Sequence, residues 1–415
     1  MLLYGGMKMK GNVLVGQSGG PTAVINSSLA GVFKTAKEHG ANKIYGMLYG
    51  IQGLLEEKYV DLGNLIHSDI EIELLKRTPS SYLGSCRYKL PDINKEPETY
   101  KKLFSILNKL EIEYFFYIGG NDSMDTIRKL TDYGESISSS IRFIGVPKTI
   151  DNDLEVTDHT PGFGSAAKYI ATTTKEIIRD SLAYDQKNLT VIEIMGRNAG
   201  WLTGASVLSK CQDCEGPDMI ILPEVTFDLG DFISKVEYFQ KVRKSVVIAV
   251  SEGIRLRDGR YVCELAGQET FTDDFGHSLL SGSAKYLANR ITLELGCKTR
   301  AIELSTLQRC ATHMASLVDI TEAFQVGGAA VNAAFRGETG KMVILKRLSN
   351  NPYQCTTDLY DIHKIANLEK KVPDSWIDPN GTYVTQEFTE YVKPLIQEEL
   401  TPIMINGLPR HLIKK

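Results

Sequence analysis

Val246-Val247-Ile248-Ala249-Val250 is a run of five side chains with no polar group among them. Successive residues of a strand point to opposite faces, so a strand of this kind is buried on both. Two buried faces mean a parallel sheet sandwiched between helices. Working outward, comparable short runs recur at Asn12–Val15, Lys43–Leu48, Tyr114–Ile118, Arg142–Val146, Thr190–Ile194, Met219–Leu222 and Ala301–Leu304. Longer amphipathic stretches lie between them, for example Gly164–Ala183 and Phe275–Leu295. Such alternation predicts an α/β chain.

The 415 residues are 42% hydrophobic and 24% charged, ordinary for a globular protein and enough for two or three domains. The expected organisation is two doubly wound lobes with mostly parallel sheets, an active-site cleft between them, and a C-terminal extension. The first lobe is expected over 1–155 and the second over 156–346, with the chain crossing back to the first lobe near the end of the second. The extension is expected over 347–415, packed on the body. Net charge is −4, with no acidic or basic block, which gives no support to non-specific nucleic-acid or membrane binding. Any anion site must therefore be local.

No apolar run approaches the roughly 18 residues of a membrane span, and the N-terminus lacks an export layout. A cytoplasmic location is expected. Seven scattered cysteines, an odd number, argue against a disulfide framework. Cys211 and Cys214 form one C-x-x-C without a second pair at zinc spacing, and are read as two ordinary thiols.

In open α/β sheets ligands bind beyond the carboxyl ends of the strands. Four segments stand there. Gly16-Gln17-Ser18-Gly19-Gly20-Pro21 follows the first strand and is either a tight turn or a phosphate cradle. Tyr117-Ile118-Gly119-Gly120-Asn121-Asp122-Ser123 ends a strand and opens a helix. Asp122 or Ser123 could cap that helix, or Asn121 and Asp122 could face a metal–phosphate complex. Gly145-Val146-Pro147-Lys148-Thr149-Ile150-Asp151-Asn152-Asp153 sets a lysine and two aspartates beyond a strand. If it is extended, Asp151 and Asp153 point the same way. A carboxylate there can take a hydroxyl proton, and an ammonium can neutralise phosphate. Glu193-Ile194-Met195-Gly196-Arg197 adds a guanidinium. Gly84-Ser85-Cys86-Arg87, Ser251-Glu252-Gly253-Ile254, Arg300 and Gln308-Arg309 complete the set, with arginine forks suited to phosphate.

Taken in order, SGG, GGxDS, PKTIDND, MGR, EGI and QR resemble the phosphofructokinases from about Asn12 to Arg347. The resemblance implies a phosphotransferase of glycolysis, with Asp151 taking the proton of the C1 hydroxyl of fructose 6-phosphate. It implies that Thr149, Ile150, Asp153, Met195, Gly196, Glu252 and Thr306 lie around the sugar, with Arg197 a catalytic residue of the sugar-binding MGR turn and Arg309 near the transferred group. Gly20 and Arg87 match donor-side positions, and Asn121 a metal-linked one, the metal being Mg²⁺. Arg300 matches an arginine that reaches the sugar phosphate of a neighbouring subunit, implying a homodimer or homotetramer.

Two positions speak to the donor. Relatives that use ATP carry glycine where Asp122 and Lys148 stand, whereas relatives that use pyrophosphate carry aspartate and lysine. Asp122 puts a negative charge where a nucleotide's α-phosphate would lie, and Lys148 offers an ammonium to pyrophosphate. There are departures. Asn121 replaces a metal-linked aspartate, Asn188 an arginine for the sugar phosphate, and Thr306 a histidine. Lys187 or the Arg300 region would then help hold the 6-phosphate. An ATP-dependent enzyme and a non-catalytic sugar-phosphate binder are the alternatives. Intact Asp151, Arg197 and Lys148 weigh against the second. NAD and lipid kinases share only the Gly119–Ser123 turn.

Overall fold

The computed structural model describes residues 9–266, 280–365 and 369–414. The first eight residues and the start of the helix expected over Phe275–Leu295 lie outside the described residues. The described part of that helix runs over Ser283–Leu295.

The chain begins with β1 (Asn12–Gln17), β2 (Ile44–Met47), β3 (Tyr59–Asp61), β4 (Ile112–Gly119) and β5 (Arg142–Pro147). It continues with β6 (Asn188–Ile194), β7 (Met219–Ile221), β8 (Ser245–Ser251) and β9 (Lys298–Glu303), then β10 (Lys341–Asn350) and β11 (Tyr353–Asp361). One sheet has the order β11-β10-β5-β4-β1-β2-β3, the other β7-β8-β6-β9. Among the described residues the pairings within these two sheets are parallel except the β2–β3 and β10–β11 edges.

The second sheet shows why an uninterrupted apolar run marks it. Val246, Ile248 and Val250 enter one core cluster, while Val247 and Ala249 enter the cluster on the other face. Both faces of the first sheet are likewise covered. In that sheet β2 and β4 flank β1 on opposite sides, so the chain reverses its direction of winding there. A crevice opens at such a switch point, and the Ser18–Pro21 and Gly120–Asp122 turns border it.

The tail departs from expectation. β10 begins at Lys341, before the expected boundary at 347, and pairs with β5. With β11 it extends the first sheet instead of forming an outer layer. The return is made by the helix Leu317–Phe335, which crosses the helix Ile25–Glu38 at backbone contact. A Cβ on Gly31 would sit 2.1 Å from Phe324 O, and one on Gly327 would sit 2.1 Å from Ser28 O. The later stretch packs on the second lobe, where Val372, Val384, Phe388, Tyr391, Val392 and Leu395 join its core and Tyr353 of β11 lies against it. Between the lobes runs the segment 148–162, which carries the lysine and both aspartates.

Candidate active site

Pro147 ends β5, and the next residue turns into the crevice. Lys148 is held at both ends: its N–H donates to Gly119 O (3.0 Å) and its Nζ to Gly20 O (2.6 Å). Three strand ends are thus tied together by one residue. Lys148 is 2% exposed. Burial lowers its pKa to about 8, partly opposed by Asp151 and Asp153 and assisted by Arg309 and Arg87. The turn it reaches is braced by Ser85, whose Oγ donates to Gly19 O (2.6 Å), and by Gly19 N–H donating to Cys86 O (3.1 Å). Arg309 comes from the second lobe: a Cβ on Gly20 would lie 3.2 Å from its Nη1.

The aspartate loop is not extended. Asn152 has φ of 53°, so the alternation of an extended strand does not apply. The carboxylates nevertheless act on each other. Burial raises the pKa of Asp151, against the pull of Arg197 and Lys148. Asp153 is raised to about 7 by burial, then by Asp151 and Glu369. Asn121 Nδ2 donates to Asp153 Oδ2 (3.3 Å), whereas Asn121 Oδ1 is buried without a hydrogen-bond partner. The helix Asn121–Ser136 starts behind Gly120 with no side-chain cap, so neither Asp122 nor Ser123 serves as one. Asp122 instead faces Lys89, with Nζ 3.5 Å from Oδ1.

From the second lobe, Met195, Gly196 and Arg197 follow β6. Met195 N–H donates to Gln308 Oε1 (3.2 Å), and Gly196 N–H to Glu252 Oε1 over a long 3.4 Å. Gly253 is needed for close approach, because a Cβ there would meet Arg197 O at 1.9 Å. Burial pushes Glu252 up to about 8, with Asp151 adding to it. Beneath it Glu193, raised by burial to about 7, accepts from Gly282 N–H and Ala284 N–H at the start of the helix Ser283–Leu295.

Not every expected residue comes to this cleft as a side chain. Ile150 is buried in the core of the second lobe. Thr149 receives the Asp151 N–H on Oγ1 (3.1 Å). Thr306 is exposed at the start of the turn Leu307–Cys310. Arg300 pairs in register with Thr190, three residues upstream of Glu303 beside Glu193, so it sits roughly 10 Å from the carboxyl edge. Its guanidinium bonds Asp180 (2.6 Å) and covers Tyr184 on the outer surface. Asn188 is satisfied at the amino end of β6 by Ser181, Gln186 and Ser245. Cys211 and Cys214 are free thiols facing each other across a two-residue hairpin turn.

Two residues of the site were missed. Lys89 has no motif around it. Glu369 reaches the aspartates through a bridge with Leu154, and Lys370 N–H donates to Asp153 O (2.9 Å). Neither carried a local signal, because the fold alone brings them in.

The phosphofructokinase family model matches residues 12–334, more than half the chain and every strand end described above except the tail. The chain belongs to the phosphofructokinase family. This chain is 40% identical over 403 residues to the pyrophosphate–fructose 6-phosphate 1-phosphotransferase of Halomonas elongata, covering 96% of this chain and 95% of that one. A protein of the same name from Xanthomonas campestris is 39% identical, with 98% and 96% covered. The crystal structure of a pyrophosphate-dependent phosphofructokinase from Nitrosospira multiformis superposes with a TM-score of 0.87 at 37% identity, covering 96% of this chain and 95% of that one. Among the described residues no helix is long and apolar enough to cross a membrane.

Proposed function

We propose that this phosphofructokinase moves a phosphoryl group from pyrophosphate to the C1 hydroxyl of fructose 6-phosphate, reversibly, giving fructose 1,6-bisphosphate and phosphate. The observation that carries the reading is the buried Lys148 ammonium clamped on the Gly20 turn beside the Asp151 carboxylate. A cation against a glycine turn suits a small polyanion, and a carboxylate beside it suits the hydroxyl that attacks it.

On this reading the first lobe binds the donor. Lys148, Arg87 and Arg309 surround the diphosphate at Gly19–Gly20, and each favours the charge that spreads over the phosphoryl oxygens during transfer. The acceptor enters from the second lobe against Met195–Arg197 and Glu252. A carboxyl raised to about 8 is largely protonated at neutral pH, so Glu252 can donate a hydrogen bond to a sugar oxygen. Asp151 takes the C1 hydroxyl proton. Its raised pKa makes it a better base than an ordinary aspartate, while Arg197 and Lys148 favour its ionised form against burial.

A divalent cation, Mg²⁺, fits the orphaned Asn121 Oδ1 and the Asp153 carboxylate next to it. Among the described residues no cluster of three or more His, Cys, Asp or Glu could hold a metal, so phosphate and water oxygens would complete its shell. When bound it neutralises charge on the diphosphate. Arg300, half-buried on the edge strand, is read as serving the sugar phosphate of a second copy in a homodimer or homotetramer, in the cytoplasm.

The test is the rate with fructose 6-phosphate and either pyrophosphate or ATP. Turnover with pyrophosphate and little with ATP is expected. The reverse would overturn the donor.

A further inference from the structure

We propose that Tyr391, in the C-terminal segment, is a positioning residue that holds the Asp151–Asp153 loop through Asn152. The proposal rests on the phosphoryl-transfer reading above. Asn152 stands between the two carboxylates in the left-handed region, at φ of 53°. Four residues on, Val156 has φ of 64°, a conformation that β-branched residues avoid. Such backbone costs energy and persists only where its surroundings fix it.

The surroundings come from the tail. The Asn152 side chain is fully buried. Its Oδ1 accepts from Thr160 N–H (3.1 Å), and its Nδ2 donates to the Tyr391 hydroxyl oxygen (2.9 Å), 239 residues away. The Tyr391 O–H donates in turn to Asp158 O, on the far side of the strained stretch. Lys370 Nζ donates to Thr157 O (3.2 Å), to Asp158 O and to the Tyr391 oxygen (3.3 Å). The ring itself is clamped under the Arg347 guanidinium, 4.6 Å from its centroid, and against Trp201 and Trp376.

The hydroxyl is therefore separable from the packing. Without it the ring still fills its place, but Asn152 Nδ2 loses its partner inside the protein, and a buried unpaired donor drives rearrangement. The residue that would move is the hinge between the two reacting-site carboxylates. A displacement near 1 Å at such a place costs about 10²-fold in rate.

The experiment is a double-mutant cycle of Tyr391→Phe and Asn152→Gly, glycine keeping the left-handed backbone without strain. Each variant is expected to lower kcat roughly ten- to a hundredfold with both KM values within about threefold, and the double variant to lose no more than the worse single one. Amide exchange of peptides covering 148–158 is expected to speed up in Tyr391→Phe while those from β1 and β4 hold. Unchanged kcat, losses that multiply, or a change confined to KM would overturn the proposal. So would unaltered exchange over 148–158, which is read without any substrate. Absence of pyrophosphate turnover in the wild type would overturn the reaction assigned above, and the exchange result would still decide whether Tyr391 fixes this loop.

Discussion

The Lys148 ammonium and the Gly20 carbonyl oxygen lie 2.6 Å apart, joining the end of β5 to the turn after β1. A lysine anchored by a neutral acceptor keeps its full charge for an incoming anion. Lys148→Met keeps most of the stem and removes the charge. We predict that it lowers pyrophosphate turnover by about 10²–10³ and leaves KM for fructose 6-phosphate nearly unchanged. Because the folded pKa is lowered to about 8, wild-type kcat/KM should fall as pH rises through that value. Bound pyrophosphate stabilises the ammonium, so the corresponding limb of kcat should lie higher. Steady-state profiles in pH check both statements, and a basic limb that stays in the methionine variant would count against them.

Asp151→Asn tests the base. Its amide can still accept a hydrogen bond but cannot take a proton, so kcat should drop about 10²–10⁴ with the fold intact. The wild-type acid limb should lie above the ordinary aspartate range, because burial raises this carboxyl. Activity is then lost as pH falls through the raised value. Near-normal kcat in a folded Asp151→Asn protein would remove the assignment.

How far these sites could be read from the chain depends on how they are built. The strand-end turns were legible because apolar runs lead directly into glycines and charged groups, as at Gly119–Asp122 and Pro147–Asp153. β10 and β11 were not. β10 opens with a buried apolar run of only four residues, Met342–Leu345, before it alternates, and β11 alternates half-covered and exposed residues along the sheet edge with no such run. The composition of the aspartate loop was legible and its shape was not, since nothing local declares that Asn152 is left-handed. Glu369 and Tyr391 arrive only after the tail has folded back, and Lys89 meets Asp122 only through the packing of the first lobe.

His159 offers a stability test away from the chemistry. It is buried between Asp158 Oδ2 (2.7 Å) and Glu322 Oε2 (2.6 Å). Burial opposes its charge, but the two carboxylates outweigh it and raise the pKa from 6.5 to about 9. Between those values the folded chain binds the extra proton, so this contribution is full below pH 6.5 and fades as pH rises through 9. His159→Gln should therefore lower the thermal midpoint most at pH 6 and least above pH 9. A pH-independent gap would show that the imidazolium is not what stabilises this junction.

Arg300 should behave as a residue of a shared site. Its own cleft lies roughly 10 Å along the strand, and its partner within the chain is an exposed aspartate, Asp180. Arg300→Ala should raise KM for fructose 6-phosphate about tenfold or more while KM for pyrophosphate changes little. Equilibrium sedimentation should show an oligomer. A monomer with full activity would exclude the shared site.

We predict that donor choice turns on Asp122, whose carboxylate opens the helix Asn121–Ser136 beside the Gly19–Gly20 turn. The helix amino terminus favours its charge, and Lys89 meets it at 3.5 Å. With the diphosphate at Gly19–Gly20 as proposed, pyrophosphate would end short of Asp122, whereas a nucleotide would have to bring a third phosphate towards it. Repulsion between like charges in a partly desolvated cleft then discriminates, by roughly 2–5 kcal/mol. Asp122→Gly should lift that repulsion and give measurable ATP use, with pyrophosphate turnover largely kept because Lys148 remains. Lys89 acts in the opposite sense. It is mostly exposed, so its screening of Asp122 is modest, but removing it leaves the carboxylate bare. Lys89→Met should weaken any residual ATP use further, while Lys89→Met in the Asp122→Gly background should not sharpen the choice, since its target is gone. Rates with both donors in the four proteins settle the matter. ATP use that is unchanged by Asp122→Gly would place the discrimination elsewhere in the cleft.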